Sequence, residues 1–190
     1  MSSPLCRILS VLFSVVTLLL IAIALSKMAL YIRSFGLTRL RVYATWLMVL
    51  MAGMFLAVLV RQFFRKGNLV LVFLLLFSVL FSGLCLSNPD AWIARYNTEI
   101  YLSGQTSIID VEELEEIGSS AVPSLLRLAE EGKTGSVRAQ AKKALQDIAD
   151  WRITNEYGFF GNTVPDFQAM RLLREAGYEG RDLRFPEEMG

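Results

Sequence analysis

Residues 69–97 read LVLVFLLLFSVLFSGLCLSNPDAWIARYN. The first part, 69–87, is 19 residues without a charged side chain. About 20 apolar residues in a helix cross the roughly 30 Å hydrocarbon core of a bilayer. The chain then turns polar at once. Asn88 followed by Pro89 is a helix start: a side-chain acceptor at the cap, then proline at the first helical position. Asp90 adds negative charge in the first turn, where the helix dipole favours it. NPDAWIARYN therefore opens a new helix where a span ends. Trp92, Tyr96 and Tyr101 fall along one side of it, the pattern of a helix lying at a membrane surface.

Two further runs, 8–26 and 42–60, are also 19 residues long and uncharged. Together they account for a hydrophobic fraction of 54%, above the roughly 45–50% usual in soluble domains. Three transmembrane helices are predicted. The first run lacks a small-x-small cleavage site and is followed by Lys27 and Tyr31, so it reads as a retained helix and not a signal peptide. SKMALYIR contains no breaker, so this helix continues past a snorkelling Lys27 to Arg33. Gly36 ends it and Thr38 caps the next. RQFFRKGN, 61–68, is a tight basic turn.

Charge divides where the third run ends. Residues 1–97 hold nine Lys/Arg against Asp90 alone, while 98–190 hold ten basic and seventeen acidic residues. The near-neutral total hides a basic membrane half and an acidic tail. Lipid phosphates are the ordinary partners of cations at helix ends, so no nucleic acid is called for. Cys6 and Cys85 fall on opposite faces after three crossings, which argues against a disulfide between them.

Parity puts the 33–41 loop and the 88–97 segment in one compartment. Tyr31, Tyr43, Trp46, Trp92, Tyr96 and Tyr101 all fall on that side, opposite only Phe63 and Phe64. One interface thus carries an aromatic belt, together with Arg33, Arg39, Arg41 and Arg95. The predicted candidate site is an interfacial anion or lipid patch of Arg33, Arg39, Arg41, Tyr43, Asp90, Trp92, Arg95, Tyr96 and Asn97. Its plain alternative is anchoring by lipid phosphates; its sharper one is recognition of an anionic group by guanidinium forks. Positive charge near helix ends is four on one side and five on the other. The compact RQFFRKGN turn favours the cytoplasm for itself and the outside for the tail.

Beyond residue 104 the pattern is helical and soluble. Asp110 caps VEELEEIG, with Glu113 completing a capping box and Gly118 as the stop. SSAVPSLLRLAEEG, SVRAQAKKALQDIADW and VPDFQAMRLLREAG are three more amphipathic helices, the second with Val137, Ala141, Ala144, Leu145 and Ile148 on one stripe and the last ending at Gly177. They form a small bundle or a HEAT-like pair.

Chemistry is constrained mainly by what is missing. The chain has no histidine, which excludes the Ser-His-Asp triad and His-based zinc sites. Two distant cysteines make no thiolate zinc site. EGKTGS, 131–136, ends like a phosphate-binding loop, but Arg127 stands where its first glycine belongs. The acid run Glu112, Glu113, Glu115 and Glu116 has the composition to hold a cation, but reads as a solvated face at a helix start. No Asp or Glu lies inside a span, unlike ion-coupled carriers. Ser78 and Ser82, four apart, are spaced to seat a neighbouring helix or are simply small residues in a membrane helix. No catalytic, cofactor or metal residues are assigned, and no enzymatic activity is expected.

YIRSFGLTRLRVYATW, followed by a membrane helix and NPDAWIARYN, resembles the C-terminal part of a large family of bacterial polytopic membrane proteins known only as a domain of unknown function. Phe35 stands where that family usually has tyrosine. AVPSLLRLAEE and DWR are similar to the family's tail, so the resemblance covers roughly residues 20–152. It implies a location in the bacterial cytoplasmic membrane and no established activity. Its members are usually longer, with more spans upstream.

The predicted organisation is all-α: three spans over 1–87, an interfacial helix over 88–103, an acidic helical domain over 104–177 and a loosely ordered tail over 178–190. The expected function is that of a non-enzymatic, multi-pass interaction or scaffold component. Its acidic tail binds a protein partner, or the chain forms an oligomer, beside the lipid bilayer. The alternatives are a lipid- or envelope-handling component using the arginine and aromatic patch, and a truncated form that pairs with a separate upstream half.

Overall fold

The computed structural model describes residues 4–63, 68–154 and 163–178. Among them every regular element is helical. They fall into two compact units, one ending at Pro89 and one beginning at Asp90.

The first unit holds α1 (Pro4–Phe35), α2 (Arg39–Phe63) and α3 (Leu69–Leu86), and all three are long and apolar enough to cross a membrane. At 1.5 Å per residue, α3 is about 27 Å long and α1 about 48 Å, so α1 outlasts the hydrocarbon, as the uninterrupted SKMALYIR required. The helices pack as successive hairpins, α2 against both α1 and α3. Phe13 faces Phe55 across the first hairpin, with ring centroids 6.3 Å apart.

Across the second hairpin the Trp46 indole donates to the Leu80 carbonyl at 3.0 Å and meets the Phe77 ring edge-on. Trp46 is thus an interhelical donor, a role that membership of an aromatic belt did not anticipate. Gly53 lets the two helices close up, since a Cβ there would sit 2.7 Å from Leu76 Cδ2. Close approach at a small residue is how helices pack in lipid, where no hydrophobic force drives them together. Most apolar side chains point outward, with Phe13 67% and Leu86 86% exposed; a surface so apolar suits hydrocarbon, not water. The hydroxyls of Ser10, Thr17 and Ser26 donate to the carbonyls of Cys6, Phe13 and Ala22. These polar groups therefore need no outside partner.

The second unit contains α4 (Pro89–Leu102), α5 (Val111–Ile117), a 3-10 turn (Gly118–Ala121), α6 (Val122–Glu131), α7 (Gly135–Thr154) and α8 (Val164–Glu175). Asp110 Oδ1 accepts from the Glu113 amide at 3.1 Å, capping α5 as its spacing required. Gly118 and Gly177 close helices at positive φ. EGKTGS is a helix-to-helix turn in which Thr134 Oγ1 accepts the Val137 amide. Ser119 and Ser120 do not start a continuous α-helix; Gly118–Ala121 winds as a 3-10 turn and α6 begins at Val122, with Pro123 in its first turn, where proline is accommodated. A capping box joins Thr163 and Asp166, the Asp166 carboxylate accepting from both the amide and the hydroxyl of Thr163 at 2.7 Å. Burial and the nearby Glu130 carboxylate push the Tyr178 phenol above its ordinary value.

The core of this unit draws on all five α-helices: Ala94 and Tyr101 from α4, Leu114 from α5, Leu125 and Leu128 from α6, Ala141, Leu145 and Ile148 from α7, and Leu173 from α8. The α7 stripe read from sequence is this core, with Val137 packed at its margin. Tyr101 corrects the sequence reading. It is 2% exposed and faces the core, not the side that bears Trp92. The compact unit begins at Asp90, and α4 contributes Ala94 and Tyr101 to the core it shares with the helices that follow. The tail assigned to 178–190 lies, beyond Tyr178, outside the described residues.

Two buried hydroxyls of α4, Thr98 Oγ1 and Tyr101 Oη, have no hydrogen-bond partner among the described residues. A buried hydroxyl left unsatisfied costs roughly 1–3 kcal/mol. Thr98→Val keeps the shape and removes the polar atom. The variant is expected to be more stable than the parent by about 1 kcal/mol, read as a rise in the denaturant midpoint of the second unit.

Candidate functional site

The nine residues of the predicted patch divide between the two units, four in the first and five in the second. Each group is built differently.

In the first unit the sequence GLTRLR, 36–41, closes the α1–α2 hairpin. Gly36 has φ 79° and its amide donates to the Ile32 carbonyl at 2.9 Å, ending α1 in the left-handed conformation that glycine adopts without strain. Thr38 Oγ1 accepts the Arg41 amide at 3.4 Å, a loose cap on α2. Arg41 then folds back: its Nη1 donates to the Gly36 carbonyl at 2.6 Å and to the Phe35 carbonyl at 3.2 Å. Those carbonyls are acceptors left over where a helix ends, at the negative end of its dipole.

At the other end of the hairpin the Arg7 guanidinium donates to the Gln62 carbonyl, near the end of α2. Each helix of the pair thus supplies an arginine from its first turns to the closing turn of its neighbour. Arg41 Nη1 is therefore engaged within the α1–α2 turn. Arg33, in the last turn of α1, and Arg39, in the first turn of α2, are exposed, as is Tyr43.

In the second unit the patch residues lie on α4. Asn88, just before it, takes φ 45°, a left-handed conformation that asparagine tolerates and an N-cap does not normally adopt. Pro89 occupies the first helical position, as its spacing required. Trp92 is 68% exposed and Arg95 is exposed on the same side, while Asp90, Tyr96 and Asn97 are partly buried. Arg95 Nε donates to Glu99 Oε1 at 3.0 Å. Glu99 was missing from the sequence-derived patch, although it stands four residues after Arg95, where such pairs form on a helix. The pair is exposed and adds little to stability.

A second feature did not emerge as a site from sequence. Glu112, Glu115 and Glu116 of α5 line a groove of about 820 Å³ whose other walls include Lys143 and Asp147 of α7. The acid run is therefore one wall of a concave surface. Asp166 also borders it but is engaged in its capping box. Among the described residues no group of three or more His, Cys, Asp or Glu side chains is placed to hold a metal ion.

Three apolar helices of spanning length followed by a compact helical unit define a membrane protein. The model of a family described as a domain of unknown function (DUF4153) matches residues 2–128, and the chain belongs to that family. The match begins well before residue 20, where the sequence resemblance was drawn, and ends within α6, so α7 and α8 lie outside it. Neither the curated proteins nor the solved structures contain a match to this chain.

Proposed function

We propose that the chain is a multi-pass protein of the bacterial cytoplasmic membrane that displays its second unit as a docking module, without catalysing a reaction. In this reading the RQFFRKGN turn lies in the cytoplasm and the second unit outside. The observation that carries it is the groove between α5 and α7, where Glu112, Glu115, Glu116 and Asp147 line one concavity and, among the described residues, Lys143 is the cation beside them. Such a surface complements a basic segment of a partner protein. Complementary charge of this kind raises the rate of encounter and selects among partners more than it adds to affinity.

The test places a photo-reactive p-benzoylphenylalanine at position 116 of the full chain in native membranes. A discrete protein adduct is expected, and it is expected to fall several-fold when Glu112 and Glu115 are both changed to lysine. An adduct indifferent to that charge reversal, or none at all, refutes the reading.

A further inference from the structure

We propose that the outward face of α4, carried by Trp92, Arg95 and Glu99, is seated among phospholipid headgroups, so that α4 is the membrane-contacting floor of the second unit. The inference is independent of the groove on α5 and α7.

It begins with chain length. Leu86 is the last residue of α3 and Pro89 the first of α4. Three residues reach at most about 10–11 Å, little more than the depth of one headgroup layer, roughly 5–7.5 Å on each side of the hydrocarbon. An α3 that crosses the bilayer therefore delivers the start of α4 into or just above that layer.

The faces of α4 supply the second step. At 100° per residue, Ile93, Ala94, Thr98, Ile100 and Tyr101 share one arc, and all five are buried. Trp92, Arg95 and Glu99 share the opposite arc and are exposed. An indole left 68% exposed in the first turn of a helix wastes its apolar area in water. At a membrane interface the ring lies against acyl chains while its N–H stays among polar groups. Arg95 and Glu99, paired at 3.0 Å, leave this face electrically balanced. Zwitterionic headgroups satisfy both members, the phosphate taking the guanidinium and the ammonium the carboxylate. The face therefore needs no anionic lipid, unlike a polybasic patch.

The experiment uses the full chain reconstituted into phosphatidylcholine–phosphatidylethanolamine vesicles, with Trp92 as the sole indole through Trp46→Phe and Trp151→Phe. Brominated phosphatidylcholine is expected to quench Trp92 emission roughly two-fold, because an indole at the interface touches brominated acyl chains. Aqueous iodide is expected to quench it little, and adding phosphatidylglycerol is expected to change neither result.

Trp46→Phe removes the bond to Leu80 and can loosen the bundle, so a second measurement keeps every tryptophan. A nitroxide on Glu99→Cys, in a chain carrying Cys6→Ser and Cys85→Ser, is expected to collide less with a water-soluble nickel chelate than one on Glu112→Cys. Equal nickel access at the two positions, or iodide-accessible Trp92 emission that brominated lipid leaves unchanged, overturns the proposal.

Discussion

Leu125→Ala is expected to destabilise the second unit by about 2–5 kcal/mol, the range for truncating a fully buried leucine. Leu125 is 0% exposed and belongs to a core contributed by α4 through α8. The two shortest α-helices of this unit cannot stand alone; α5 has seven residues and α6 ten, below the roughly 12–15 that make an isolated helix even marginal in water. Their stability is therefore tertiary, and a cavity at the centre is felt by every helix. Against a total of about 5–15 kcal/mol for an ordinary domain, such a loss brings the unit near the edge of folding. In detergent or membranes, limited proteolysis is expected to remove residues beyond Asp90 from the variant while the α1–α3 fragment survives. Simultaneous loss of both units would show that they do not fold as separate bodies. Leu145→Ala tests the same core from α7 and is expected to act alike, whereas Val137→Ala, at the core's margin, is expected to cost far less.

Much of this architecture is legible in the sequence because the signals are local. Uncharged runs long enough to span lipid leave little choice of fold, and Gly36, Asp110, Gly118 and Gly177 end or begin helices through their own backbone and side-chain chemistry. What escaped is mainly of two kinds. The sequence reading sets Tyr101 on the Trp92 side of α4, but nine residues at 100° each turn it about half a circle away from Trp92. It lies seven residues after Ala94, and both face the core. The ion pair of Arg95 and the Thr163–Asp166 box were readable at spacings of four and three but were not singled out.

The second kind depends on tertiary geometry. That Glu112, Glu115 and Glu116 wall a groove depends on where α7 packs. The role of Arg41 depends on the angle at which α2 returns along α1. A cation beside a span reads as a lipid anchor until a helix terminus is found within its reach.

The role of Arg41 gives the second large effect. Arg41→Ala is expected to destabilise the α1–α2 hairpin by about 1.5–3 kcal/mol, the value of hydrogen bonds to a charged group. The Phe35 and Gly36 carbonyls lose this donor at the negative end of α1. Arg41→Lys is expected to recover only part of the loss, since an ammonium reaches as a point charge and lacks the planar fork. Gly36→Ala is expected to cost about 1–2 kcal/mol by forcing a Cβ into the left-handed region. It shares the same turn as Arg41, so the two effects should not add.

Arg7→Ala acts at the far end of the hairpin, beyond the range at which substitutions couple, and its effect is expected to add to that of Arg41→Ala. Reversible unfolding of the full chain in detergent micelles measures each variant, and lipid co-purification supplies the opposing readout. A guanidinium that served lipid phosphates would show itself as lost lipid at unchanged stability. One that closes a helix shows lost stability with lipid retained, the outcome expected for Arg41 from its bonds to the Phe35 and Gly36 carbonyls.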